Sequence, residues 1–202
     1  MEHKFTEVYN TCEWGNNRHE EYRGSSGEGS DIDYNISTYV PFLQKFITDH
    51  DVRTVVDVGC GDFRCGPYIY DSIENVKYTG IDVYKNVIDY HRKTYHNNPK
   101  YTFVHMDVSQ NMNNLPAADL CILKDVLQHW PTDQIYTFLD ILMSTKQYKY
   151  ILITNCSHQK YDNENIVVGH WRPLSYEMLP LKKYPIKLIY TYNTKQVCLI
   201  QS

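Results

Sequence analysis

The sequence predicts an α/β fold: a mostly parallel sheet with helices on both faces and an antiparallel hairpin at its carboxyl-terminal edge. Three observations carry this. Apolar, β-branched runs recur at 54–58, 78–81, 102–106, 120–123 and 150–154 with helical stretches between most of them, and strands separated by helices pair in parallel. Two further runs, 186–192 and 197–201, flank Asn193-Thr194-Lys195-Gln196, the pattern of a hairpin. The first run breaks into the glycine loop Gly59-Cys60-Gly61, which marks a buried strand rather than part of a helix.

Taken in chain order, residues 1–36 are polar and glycine-serine rich around Arg23-Gly24-Ser25-Ser26-Gly27-Glu28-Gly29-Ser30. Composition alone makes this a flexible linker. Residues 37–202 form the domain. In 37–47, Tyr39, Phe42, Leu43, Phe46 and Ile47 fall on one helical stripe, with a Ser/Thr cap and an early proline. The clearest helix follows Pro131-Thr132, where Ile135, Phe138, Leu139 and Leu142 make a second stripe.

The 202 residues suit one globular domain, or a domain plus an embellishment, and 42% hydrophobic with 22% charged residues is ordinary for a soluble protein. A formal net charge of -4, with no basic cluster beyond Lys182-Lys183, disfavours nucleic acid as a partner. The first residues carry no apolar targeting segment, and no stretch approaches a membrane span; the expectation is a soluble, intracellular, cytoplasmic chain with no membrane partner. Cysteines at 12, 60, 65, 121, 156 and 198 lack a paired-ligand rhythm, which argues for reduced thiols and against structural zinc. Cys60 has no marked base beside it, so a nucleophilic role finds little support.

In open α/β sheets ligands sit beyond the carboxyl ends of the strands. Here Asp57 precedes the glycine loop, Asp82 ends the second strand and Asp107 follows the third. Gly59 and Gly61 let backbone amides approach a ligand. Asp82 lies about 20 residues on, the interval at which a carboxylate accepts from both hydroxyls of a ribose. A dinucleotide fold needs a third glycine three residues after Gly61, and that position is Arg64. Asp57 suits a cationic group such as an ammonium. The residues therefore point to a nucleoside carrying an amino acid.

Asp57-Val58-Gly59-Cys60-Gly61, Asp82, Asp107 and the terminal hairpin together resemble the class I S-adenosylmethionine-dependent methyltransferases over residues 37–202. The resemblance implies a Rossmann-like, seven-stranded sandwich that binds S-adenosylmethionine and releases S-adenosylhomocysteine, without a metal. It implies that Gly59 and Gly61 pass under the methionine, Asp82 holds the ribose, and Asp107 with Val108 contacts adenine. Ser26-Gly27-Glu28-Gly29-Ser30, Leu123-Lys124-Asp125-Val126-Leu127-Gln128-His129 and Gly169-His170-Trp171-Arg172-Pro173 look like small methyltransferases found with glycan-biosynthesis enzymes. That narrower likeness turns residues 1–36 from a linker into a cofactor-capping lid. The cofactor set is then Gly27, Gly29, Ser30, Asp57, Gly59, Gly61, Asp82, Val83, Asp107, Val108 and Lys124.

An alcohol acceptor must lose a proton as the methyl bond forms, and His or Asp is the usual receiver. His129 is the first choice for this base and Asp125 the second; equally, His129 can pack beside Trp130 and only bond a backbone carbonyl. The insertion 156–185 is the specificity region, with His158, Asp162, Asn163, Trp171 and Arg172 as substrate contacts. Arg172 can fork onto a phosphate or lie on the surface; Trp171 can offer a flat face to a sugar ring or pack in the core, and core is preferred. The leading function is O-methyl transfer to a small hydroxylated acceptor, a sugar or nucleotide sugar. Methylation of RNA cap ribose and an inactive cofactor-binding module are the competing readings.

Overall fold

The computed structural model describes residues 1–17, 21–157 and 164–201. The chain divides into two units, Met1–Asp107 and Val108–Ser202.

The first unit opens with helix α1 (Glu2–Asn10), which buries Phe5, Val8 and Tyr9. A single 3-10 turn (Glu28–Ser30) leads into the one-turn helix α2 (Ile32–Asn35) and then α3 (Tyr39–Asp49). Along α3, Tyr39, Leu43, Phe46 and Ile47 are buried, as their spacing requires, whereas Phe42 is half-buried. Pro41 sits in the first turn, where a missing N–H costs nothing. The expected side-chain cap is not made: Thr38 Oγ1 instead donates to the Tyr34 carbonyl at 3.1 Å, because α2 runs almost directly into α3.

Strands β1 (Thr54–Val58), β2 (Lys77–Asp82) and β3 (Tyr101–His105) lie parallel, joined through helices α4 (Gly66–Tyr70) and α5 (Lys85–Thr94). Register pairs Val58 with Ile81 and Asp82 with His105, so the carboxyl ends of the three strands align. On α5, Val87, Ile88 and His91 are buried, and the basic last turn His91, Arg92, Lys93 suits the negative end of the helix dipole.

In the second unit β4 (Ala118–Lys124) runs parallel to β5 (Tyr148–Cys156), linked by a 3-10 turn (Leu127–His129) and helix α6 (Thr132–Thr145). All four predicted stripe residues of α6, Ile135, Phe138, Leu139 and Leu142, are buried. Strands β6 (Lys187–Tyr192) and β7 (Lys195–Gln201) form the antiparallel hairpin, with β7 against β5 and β6 outermost. The strand order is β3-β2-β1-β4-β5-β7-β6, a seven-stranded sheet. Among the described residues no helix is long and apolar enough to cross a membrane.

Candidate functional site

After Val58 the chain turns through Gly59 (φ 77°) and Gly61 (φ 53°), both in the left-handed region that favours glycine. The Gly59 and Cys60 N–H groups donate to the Ile81 carbonyl at 2.7 and 3.0 Å, hanging the loop from the end of β2. Asp82 completes the attachment: Oδ2 accepts from the Gly61 N–H and Oδ1 from the Tyr84 N–H, each at 2.9 Å. Burial raises the Asp82 carboxyl above its usual range, opposed by those amides. A carboxylate accepts about four hydrogen bonds, so Asp82 keeps capacity for a ligand hydroxyl beyond these amides.

The loop rests on aromatic rings. Phe63, itself at φ 52°, has Tyr78 at 4.7 Å and Tyr101 and Phe103 at 5.2 Å between ring centroids. A Cβ on Gly66 would fall 2.0 Å from the Phe63 ring, so that position admits only glycine. Much of the tyrosine richness of this unit is thus packing beneath the loop.

The glycine-serine segment lies over the same loop. Ser26 Oγ accepts from the Asp62 N–H at 2.9 Å and Ser26 N–H donates to Asp62 Oδ2 at 3.2 Å, while the Ser30 hydroxyl reaches Oδ2 at 3.1 Å. Arg64 pairs with Asp31 and, at 3.1 Å, with Asp62. Tyr9 stacks on Tyr84 at 4.3 Å and its hydroxyl lies 2.7 Å from Ser26 Oγ. Gly27 accepts from the Ser30 hydroxyl at 2.8 Å, and the Gly29 carbonyl from Asn35 at 3.0 Å. The linker reading from composition is corrected here. Small residues serve close approach rather than flexibility: a Cβ on Gly24 would meet the Tyr9 carbonyl oxygen at 2.3 Å.

Other expected cofactor residues of this unit already hold protein partners. Asp57 Oδ2 accepts from the Tyr78 hydroxyl at 2.8 Å, and the Val83 carbonyl lies 3.1 Å from His105 Nε2. Asp107 Oδ2 accepts from the Met1 amino group at 2.8 Å and the Glu2 N–H at 3.1 Å. The Cys60 thiol is pushed well up by burial and then by Asp82 and Asp57, the opposite of what a nucleophile needs.

In the second unit Val108 is buried, and the end of β4 carries a charged cluster. Asp125 sits at φ 61°, held by its N–H to the Thr154 carbonyl at 2.8 Å. Its carboxylate lies between Lys124 Nζ at 2.9 Å and Lys195 Nζ at 2.6 Å, and Lys195 is also 3.3 Å from Cys156 Sγ. Burial works against the Asp125 charge, but Lys124 and then Lys195 outweigh it and hold the carboxyl below its usual range. Lys195 is 4% exposed and was not foreseen; only the pairing of β5 with β7, which sets Cys156 opposite Lys195, brings it here.

His129 is buried in its 3-10 turn with Nδ1 3.1 Å from the His170 carbonyl, which assigns the proton to Nδ1 and leaves Nε2 the basic nitrogen. Burial pushes its pKa down to about 4. Arg172 is not a surface residue: it is buried, donates Nη1 to the Trp130 carbonyl at 2.8 Å, and has its pKa lowered to about 10 by burial. Trp171, read as core, is 47% exposed. The Trp130 carbonyl draws the Arg172 guanidinium inward, while the neighbouring indole lies at the surface. His158, Asp162 and Asn163 lie outside the described residues. All six cysteines are free thiols, and no group of three or more potential metal ligands occurs among the described residues.

Residues 55–146 match the sequence profile of a family described as "Methyltransferase domain". No curated protein matches the chain in sequence. Among solved structures, the methyltransferase domain of bacterial CtHen1 is similar with a TM-score of 0.67 at 12% identity, over 85% of this chain and all of that one. An O-methyltransferase family protein from Burkholderia thailandensis gives 0.64 at 14% identity, over 86% of this chain and 57% of its own. Human N-acetylserotonin methyltransferase, in complex with S-adenosylmethionine, gives 0.57 at 16%, over 81% and 54%. The chain has the class I methyltransferase fold.

Proposed function

From this fold we propose that the chain is an S-adenosylmethionine-dependent O-methyltransferase acting on a hydroxyl of a small acceptor, a sugar or nucleotide sugar. The observation that carries the reading is the tie between Asp82 and the Gly61 amide at 2.9 Å, which brings a ribose-competent carboxylate onto a glycine loop. The residues fit the cofactor. Left-handed Gly59 and Gly61 keep side chains off the loop, and the buried Asp62 Oδ1 has no donor among the described residues. When bound, the cofactor supplies a methyl group on a sulfonium leaving group, so the donor needs no activation by the protein.

The chain's own work is binding, alignment and proton removal. Asp82 is locked by two backbone amides and keeps lone pairs for the ribose. His129 is neutral above about pH 4 and is held by Nδ1 on the His170 carbonyl; on this reading the imidazole receives the acceptor's proton. Asp125, pinned by two lysines, is ionised and a weak base; its role on this reading is to orient. The net charge of -4 supports a small acceptor over RNA.

Calorimetry with S-adenosylhomocysteine tests the cofactor. The intact protein binds, and Asp82→Ala weakens binding about tenfold or more by removing ribose contacts and the loop tie. No binding by the intact protein would overturn the reading. A methyl-transfer screen over nucleotide sugars, free sugars and capped RNA assigns the acceptor; binding without turnover on any of them makes the chain a binding module instead.

A further inference from the structure

Asp62 follows the glycine loop directly, and its two carboxylate oxygens are used very unequally. Oδ2 takes the Ser26 N–H at 3.2 Å, the Ser30 hydroxyl at 3.1 Å and Arg64 Nε at 3.1 Å. Oδ1 is buried in a fully buried side chain and has no hydrogen-bond partner among the described residues. An acceptor sealed from water without a donor costs about 1–3 kcal/mol, more when charged. The fold bears that cost at the residue that Ser26 and Ser30 of the glycine-serine segment both hold.

The local charge has the sign that a cation would answer. Asp57, Asp62 and Asp82 all act on the Cys60 thiol between them, and Asp62's guanidinium partner, Arg64, is shared with Asp31. The orphan oxygen asks for more than charge: it lacks a hydrogen-bond donor. An ammonium brings three N–H donors, whereas a sulfonium brings charge and no donor.

We infer that Asp62 Oδ1 is the seat of an ammonium group, the α-ammonium of the methionine moiety of S-adenosylmethionine. The inference rests on the cofactor reading above and adds to it a residue and a contact. Ser26, Ser30 and Arg64 then have a common purpose: by saturating Oδ2 they fix the carboxylate so that Oδ1 is the oxygen left for the ligand. The glycine-serine segment acts as a positioning element for this carboxylate as well as a cover for the loop.

Calorimetry on the full chain separates the parts of the ligand. The probes are S-adenosylmethionine, S-adenosylhomocysteine, deaminated S-adenosylhomocysteine and 5′-methylthioadenosine, which keeps the nucleoside and sulfur but lacks the amino acid. In the unaltered protein, deamination weakens S-adenosylhomocysteine about tenfold or more; equal affinities would overturn the inference without any variant. Asp62→Asn weakens S-adenosylmethionine and S-adenosylhomocysteine by a similar factor and leaves 5′-methylthioadenosine within about twofold. Equal loss of 5′-methylthioadenosine means Asp62 acts on the fold alone, and loss confined to S-adenosylmethionine puts the sulfonium there; either result overturns the inference. If the unaltered protein binds none of the probes, the cofactor reading itself fails.

Discussion

The two units carry polar sites built by opposite means. In the first, backbone does most of the work: loop amides hang on the Ile81 carbonyl, and Asp82 and Asp62 each take main-chain N–H groups. In the second, side chains do it, with Lys124, Asp125, Lys195 and Cys156 bonded to one another at 2.6–3.3 Å. Their charges also differ: carboxylates dominate around the glycine loop, whereas two lysines flank one carboxylate at the end of β4. A backbone-built site tolerates change in most side chains but not in its glycines. A side-chain network depends on its members, because each buried charge is compensated by its neighbours.

The largest test of this contrast is Lys195→Met. Removing one partner of a buried ion pair typically costs about 3–5 kcal/mol, since the other charge is left uncompensated. Asp125 keeps Lys124 at 2.9 Å and is 19% exposed, which places the expected loss near the lower end, about 3 kcal/mol. Urea denaturation reads it directly. A change below about 1 kcal/mol would mean that Lys124 alone satisfies Asp125 and that the network is not a unit.

The same contrast governs what could be read from the sequence. Gly59, Gly61 and Asp82 were legible because a left-handed loop and a strand-end carboxylate leave residue types at fixed spacing within one βαβ segment. Lys195 was not. Being polar, it was assigned with Gln196 to the hairpin loop, yet the turn is only Asn193 and Thr194, with Asn193 at φ 48°, and β7 already includes Lys195. Its ammonium is buried against a carboxylate 70 residues earlier, and no local pattern encodes that distance. Arg172 and Trp171 were exchanged for a similar reason. Which of two adjacent side chains turns inward depends on the Trp130 carbonyl that receives the guanidinium, not on either residue's polarity.

His129 gives a second test, of comparable size, and one that turns on pH. The folded state does not protonate this imidazole until about pH 4, whereas an unfolded chain does so near its unperturbed value, about 6.5. The sign follows: stability from the neutral, buried ring is fully present above about pH 6.5 and is lost as pH falls toward 4, amounting to about 3 kcal/mol. His129→Gln should flatten that part of the stability profile relative to the unaltered protein. The same variant bears on function, since a base with this pKa gives turnover that falls only as pH approaches 4. An inflection between pH 6 and 7 that vanishes in the variant would show a ring exposed to solvent protons, against its burial.

Gly61→Ala is the smallest perturbation and probes the first unit on its own terms. The position is left-handed, φ 53°, which costs an L-residue about 1–2 kcal/mol. The new Cβ would also fall 2.3 Å from Ser26 Oγ and 3.0 Å from Ser26 Cβ, so the glycine-serine segment must withdraw. Withdrawal breaks the Ser26 contacts to Asp62 and frees the segment, so limited proteolysis within residues 21–30 should accelerate while the second unit is unaffected. Pairing the change with Ser26→Gly separates the two causes. If the clash dominates, the double variant is less damaged than the sum of the single ones; if backbone strain dominates, the losses add. Additivity would mean that the loop carries its conformation without the segment above it, and that the segment reads the loop rather than shaping it.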